Sequence, residues 1–539
     1  MLVELKVFIV LTSILIINAN SQELFPVTII HLNDMHARFD ESNVEANVCK
    51  PGNNDCIGGY ARIVTKVKEL LQTKAALNPL YLNAADNFQG TLWYNMFRWN
   101  VTSYMLNLLP ADAMTIGNHE FDDGIEGLVP FLEASRSPIL ISNIDDTLEP
   151  TFQNMYTKSM VITKYGRPIG IIGVTTTFRS NWGQLNILPE AEAVKVEAER
   201  LKSEGVDIII VLSHCGLDPD REIAVHGGPI DIIVGGHSHS FLWSGENPPG
   251  PDGVVSSYPT IQKQDNGRDV LIVQASAYNK YLGDITLYFD EAGEIQDYEG
   301  SPIYMSHDIP QDPEILAELI PWKVVVDQVI FRHIGDTKYE IPRNRCYSKE
   351  CPMGNLMADT YAYAFLHNNP DNEGWTGASI ALVNPGGIRA GLSRGDIVYG
   401  DIITTTPFEN SVHNIELQGK FIRQSLEFSV ANNESLILLQ VSGLKVVYNM
   451  ANEANNRIVS LDVLCRVCDV PRYEPIDDEK FYRLAMPDFL AGGGDGFTMI
   501  GENKRNTIVG PLDIDALENF IYKNSPMTLP FVMGRIMFL

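Results

Sequence analysis

GNHEFDDG, residues 117–124, follows a short apolar run that reads as the end of a buried strand. Its two glycines and its asparagine suit a tight surface turn. A turn alone has no use for His119 with acids close behind it. The same combination recurs elsewhere. Residues 27–30 (VTII) run into Asp34-Met-His36, and residues 79–82 (PLYL) run into Asn83-Ala-Ala-Asp86. Residues 113–116 (AMTI) run into Gly117-Asn118-His119, and residues 206–212 (VDIIIVL) into Ser213-His214. Residues 230–234 (IDIIV) run into Gly235-Gly-His237-Ser-His239. Helix-like stretches, residues 60–73 and 189–204, lie between these runs. Short buried strands alternating with helices predict an α/β fold with largely parallel strands. In such sheets ligands bind beyond the carboxyl ends of the strands. One strand ending in His means little, but five ending in Asp, Asn or His at one edge point to a site.

Carboxylate, imidazole and amide ligands without paired thiolates suit Zn, Mn, Fe or Co better than Mg or Ca alone. There are more such ligands than one ion needs, which predicts a pair of divalent ions. Acids outnumber Lys and Arg by 68 to 40, for a formal net charge of −28. That balance disfavours nucleic acid or an anionic membrane as the main partner. It also means that an anionic substrate would need a local concentration of cations.

The chain of 539 residues has a 45% apolar fraction, enough for two domains or more. Lys6, an apolar run over residues 7–17 and Ala19-Asn-Ser21 predict a secretory signal over residues 1–21. Seven cysteines fit an oxidising compartment. Six fall into the close pairs Cys49/Cys56, Cys346/Cys351 and Cys465/Cys468, and Cys215 is left over. Asn100-Val-Thr102 and Asn433-Glu-Ser435 are glycosylation sequons.

The longer motifs resemble a known family. Asp34-x-His36, residues 83–91 (NAADNFQGT), Gly117-Asn-His-Glu120, Leu212-Ser-His214 and Gly236-His-Ser-His239 are similar to the metallophosphoesterase fold, and specifically to the animal 5′-nucleotidase/apyrase family. The resemblance implies an N-terminal metallophosphoesterase β-sandwich flanked by helices (residues 25–310), a linker helix (311–334) and a C-terminal α/β nucleotide-binding domain (335–539). It implies that Asp34 and His36 bind one metal, that Asp86 bridges, and that Asn118, His214 and His237 hold the second. His239 sits where some relatives have a further amide ligand. His119 is implied to stabilise charge on the phosphoryl or leaving group, with Asp122 orienting it, and Asp123 reads as a solvated bystander. The metals are expected to be two divalent ions, Zn or Mn, with Ca also compatible.

In the second half the resemblance assigns Asn384 and Arg389 to phosphate, Phe408 and Phe489 to a sandwich around the base, and Asp495 to the ribose hydroxyls. Rotation of one domain on the other, as in the family, would bring phosphate to metal. Relatives often carry an arginine where this chain has Tyr347; Arg345 or Lys349 is the expected substitute. Some relatives also have a disulfide at the positions of Ala358 and Ala381, and usually a serine at Cys215. Membrane-anchored relatives continue beyond the position of Leu539 into a lipid-anchor signal, so no membrane anchor is expected here.

The implied function is that of a secreted, extracellular apyrase most like those in the saliva of blood-feeding arthropods. It would hydrolyse ATP and ADP to AMP and phosphate and so inhibit platelet aggregation in a host. The alternative is a secreted 5′-nucleotidase acting on AMP. The tripeptide Arg394-Gly395-Asp396 raises a lesser alternative, contact with an integrin.

Overall fold

The computed structural model describes residues 24–177, 182–367, 373–433, 436–528 and 532–539. The predicted signal, residues 1–21, and the end of the second sequon lie outside them.

Strand Phe25–Leu32 shows why the first domain is layered. Val27 and Ile29 face one core, while Ile30 and Leu32 face another, as the two-residue period of a strand requires. Its apolar run is continuous because both faces are buried. Each such side chain contributes roughly 1.5–3 kcal/mol on burial.

This strand is central to a six-stranded sheet. Leu80–Asn83 pairs with it in parallel, and Ala113–Met114 pairs in parallel with Leu80–Asn83. Tyr281–Phe289 closes its other side in antiparallel register. A second six-stranded sheet is built on Ile208–His214, flanked in parallel by Arg167–Thr175 and Ile232–Val234. Its edge strands, Ser159–Lys164 and Thr260–Lys263, are antiparallel. Val27, Ile29, Leu80 and Leu82 of the first sheet share a core with Ile171, Ile209, Val211 and Ile233 of the second. The two sheets are therefore the layers of a sandwich. The predicted strands end on both sheets rather than at one edge of a single parallel sheet, and both sheets are mixed. The helices Tyr60–Thr73 and Glu190–Ser203 form where the sequence pattern puts them.

Helix Pro313–Ile330 leads to the second domain. The Asp312 carboxylate caps it by accepting from Glu314 N at 3.0 Å and Ile315 N at 3.2 Å, and Pro313 occupies the first turn. Its Trp322 packs edge-on against Phe97 of the first domain. Beyond it lies a five-stranded sheet in which Ile380–Val383 and Phe481–Pro487 run parallel and the remaining pairs antiparallel. Ala358 and Ala381 are both fully buried, on a helix and a strand of this domain that pack together. A loop of the first domain docks on the second: Asn47 Nδ2 donates to the Gly391 carbonyl at 2.9 Å, and Lys50 pairs with Asp401 at 2.8 Å. Among the described residues no helix is long and apolar enough to cross a membrane.

Candidate active site

The predicted ligands converge because several turns place their side chains at one place. Asp34, His36, Asp86, His237 and His239 all have positive φ, between 48° and 72°. That backbone is uncommon for residues with a Cβ, and its cost is characteristic of functional sites. The turns are tied together across strands, with Asp34 N donating to Ala85 O at 2.9 Å and His36 N to Asp86 O at 2.9 Å. Gly117 serves differently from a turn glycine. A Cβ there would lie 2.1 Å from Asp86 Oδ1 and 2.7 Å from the His214 ring, so only glycine lets this strand end approach the carboxylate. Gly124, at φ 68°, is the turn-forming glycine of the motif.

Glu120, also in that motif, has a role that the reading of the sequence did not give it. It is fully buried and accepts from Gly117 N at 2.7 Å, Asn87 N at 2.7 Å and Asp86 N at 3.2 Å. It thereby ties the Asp86 loop to the Asn118 loop. Asp123 is not a bystander either: its carboxylate accepts from Tyr94 Oη at 2.7 Å and Arg98 Nη1 at 3.4 Å.

Ligand atoms of Asp34, His36 and His239 lie within 4.8 Å of one another, and so do those of Asp86, His214 and His237. His239 thus joins the Asp34/His36 group. The His36 and His239 Nε2 atoms face each other at 3.0 Å, and His214 Nε2 lies 3.1 Å from Asp86 Oδ2. The Nδ1 of His36 lies 3.1 Å from the Gln89 carbonyl, and that of His214 lies 2.7 Å from the Ala84 carbonyl. A carbonyl only accepts, so the proton sits on Nδ1 and each Nε2 turns a lone pair toward the carboxylates. Lone pairs facing carboxylates call for cations between them. Asn118 Oδ1 is a buried acceptor with no hydrogen-bond partner, which suits a cation ligand. The donor set therefore fits divalent ions. Burial works to lower the His214 pKa, but Asp86 and Asp34 lift it to about 10, so a proton is held there when no metal competes.

His119 is held from both ends. Its Nδ1 lies 2.8 Å from Asp122 Oδ2, and its backbone N donates to Asp86 Oδ1 at 3.0 Å. Burial works to lower its pKa, but Asp122 and Asp86 outweigh this and raise it, which favours an imidazolium facing the site. Its ring stacks on Phe408 of the second domain at 5.4 Å.

The second-domain residues gather around the same centre. Asn384 Nδ2 donates to Asp495 Oδ2 at 2.8 Å. Arg389 Nη2 reaches His36 Nε2 at 2.8 Å. Tyr347 Oη, Asn384 Nδ2 and Asp495 Oδ2 all lie within 3.7 Å of the Cβ position of Gly386. Phe489 is 38% exposed and covers Gly494. Phe408 stacks on the His119 ring in this arrangement.

Cys49–Cys56, Cys346–Cys351 and Cys465–Cys468 are bonded as their spacing implies. Cys215 is a free thiol, but it is 2% exposed and burial raises its pKa well above the usual value, which keeps it protonated and unreactive. Asn100 is exposed on helix Trp99–Leu106. The tripeptide at 394–396 enters strand Gly395–Val398, paired with His333–Thr337, and the Asp396 carboxylate is bonded to His333 Nδ1.

The first domain matches the calcineurin-like phosphoesterase family over residues 27–241, and the second matches the 5′-nucleotidase C-terminal domain over residues 333–502. An apyrase of Tabanus yao is 48% identical over 522 residues, covering 95% of this chain and 93% of that one. The 5′-nucleotidase of Bos taurus is 36% identical over 532 residues, covering 95% and 91%. The crystal structure of a 5′-nucleotidase precursor from Thermus thermophilus superposes with a TM-score of 0.85 at 32% identity, over 96% of this chain and 99% of that one.

Proposed function

Since the chain belongs to the 5′-nucleotidase/apyrase family and is a metal-dependent nucleotide phosphohydrolase, we propose that it is a secreted apyrase that removes terminal phosphates from ATP and ADP. The observation that carries this reading is Tyr347, whose hydroxyl lies beside Asn384 and Asp495 where relatives often have an arginine. A neutral phenol cannot hold a phosphate in a guanidinium's bidentate grip.

In this reading Asp34, His36 and His239 would hold one divalent ion, and Asp86, Asn118, His214 and His237 the other, with Asp86 facing ligands of both groups. Zn or Mn suits the imidazole-rich donor set, and Ca remains compatible. Such a pair, when bound, would supply positive charge for the oxygens of a phosphoryl displacement. His119, aligned by Asp122, donates toward the oxygen that gains charge. Arg389 and Asn384 hold phosphate, Asp495 takes the ribose hydroxyls, and Phe408 and Phe489 take the base. The chemistry centres on residues 25–310, and selection of the nucleotide on residues 335–539.

AMP offers only its α-phosphate and suffers most from the missing arginine. We expect kcat/KM for ADP and ATP to exceed that for AMP by at least about tenfold, which needs only ~1.4 kcal/mol of differential transition-state binding. Tyr347→Arg should narrow the gap by raising AMP turnover. Phosphate release from the three nucleotides, with and without a chelator, measures this. Equal efficiency on AMP would replace the apyrase reading with the 5′-nucleotidase one. Removal of host ADP would account for inhibition of platelet aggregation.

Secretion is a separate expectation. Expressed in insect cells from the full chain, the protein should reach the medium without detergent or a lipid-cleaving enzyme. Recovery mainly in the membrane pellet would contradict it.

A further inference from the structure

Arg345 and Lys349, the cations nearest Tyr347 in sequence, are exposed, and neither makes a side-chain bond to a site residue among the described residues. Arg343 points the other way. Its Nη1 donates across the domain boundary to Tyr278 Oη at 3.3 Å and, within its own domain, to the Arg389 carbonyl at 3.1 Å. The Tyr278 ring lies 5.6 Å from the His36 ring and 5.2 Å from the His239 ring, and the Arg38 guanidinium lies 4.1 Å from its centre.

Arg38, Arg343 and Arg389 thus converge beside the proposed metal ligands. Their hydrogen bonds go to carbonyl oxygens, a phenol and an imidazole rather than to carboxylates. Arg38 and Arg389 are 2% and 8% exposed, and the Nε of each has no partner. Buried guanidinium groups without anions are costly. In a chain with a net charge of −28 such a cluster marks where an anion goes.

The position says which anion. Through Tyr278 the Arg343 guanidinium adjoins His36 and His239. Through the Arg389 carbonyl it adjoins the turn that begins at Asn384, which is bonded to Asp495. It therefore touches one residue that adjoins the metal ligands and another that follows the turn leading from the proposed ribose site. AMP has no phosphate to place there, because its one phosphate is the transferred group. ADP and ATP do.

We infer that Arg343, oriented by Tyr278, is a specificity-determining residue that binds the phosphate lying between the transferred phosphoryl group and the ribose of a nucleoside di- or triphosphate. This rests on the apyrase reading and names the residue behind its substrate preference.

Arg343→Gln and Arg343→Lys should be compared with the parent protein on ADP, ATP and AMP, with thermal stability and metal content measured on each. Arg343→Gln should lower kcat/KM for ADP and ATP by ~30-fold, mainly through KM, and leave AMP within about threefold; Lys should restore part of the loss. Arg345→Ala and Lys349→Ala should stay within about twofold on every substrate. Equal loss on all three nucleotides, or none, would overturn the inference, because Arg343 would then be a structural tie between domains or a bystander. Pyrophosphate and orthophosphate as competitive inhibitors separate this result from the apyrase reading. Arg343→Gln should weaken pyrophosphate by about tenfold and leave orthophosphate unchanged. If the parent protein prefers AMP, the apyrase reading fails, and the pyrophosphate comparison still decides Arg343: unchanged inhibition would overturn it.

Discussion

Asp86→Ala should abolish turnover, with kcat/KM falling by more than about a thousandfold, because the one carboxylate proposed to reach both ions is removed. Asp86 Oδ2 lies 3.1 Å from His214 Nε2 and 3.7 Å from His36 Nε2, so it faces a ligand of each proposed ion. Its Oδ1 also accepts from His119 N, so the same side chain fixes the catalytic imidazole. Burial works to raise its pKa, but His214, His119 and His36 outweigh this and hold it well below the usual carboxylate range. His36→Ala should be milder in metal content, losing one ion and retaining the one held by Asn118, His214 and His237. Because residue 86 has φ 50°, alanine there carries backbone strain, and Asp86→Asn is the better control. Metal content and turnover of the three variants decide the matter. Two equivalents of metal and a normal rate in either Asp86 variant would sink the bridging assignment.

His119→Ala is expected to lower kcat by about 10²–10⁴, the range for loss of a positioned acid or an electrostatic stabiliser. With His119 as a charge stabiliser rather than a ligand, metal content should be unchanged, although its ring lies within ligand distance of His36 and Asp86. The loss should depend on the leaving group. The nucleoside alkoxide expelled from AMP needs protonation, whereas the phosphate expelled from ADP or ATP and a nitrophenolate do not, so the loss should be largest on AMP and smaller on ADP, ATP and p-nitrophenyl phosphate. Asp122→Asn should show the same pattern more weakly, since the ring would keep its place and lose its charge partner. Loss of a metal ion from His119→Ala, or an equal loss on both kinds of leaving group, would make His119 a ligand or a packing residue instead.

Much of this arrangement is legible in the sequence because strand periodicity and ligand chemistry coincide at the same positions. A buried apolar run that stops at Asp, Asn or His states both where the strand ends and what waits there. The partition of those ends between two sheets is not legible, since strand pairing joins residues as distant as Phe25 and Phe289. Nor is the role of Glu120, whose donors are backbone amides and therefore leave no trace in side-chain type. Its place in the GNHE motif was the available signal. Gly117 reads as a turn and is instead a clearance, visible only once Asp86 and His214 are in place. Proximity along the chain favours Arg345 and Lys349 over Arg343, but it says nothing about which way a side chain points.

The residues proposed to hold the metals and those proposed to hold the nucleoside belong to separate domains, joined by helix Pro313–Ile330. Amino-acid change in the second domain can therefore alter which leaving group is accepted without disturbing the ligand turns, whose backbone tolerates little. Across a lineage, substrate preference should drift quickly at positions such as 343 and 347, while the ends of the five strands stay fixed. Two proteins of this architecture can then differ in the nucleotide they consume and still share one reaction.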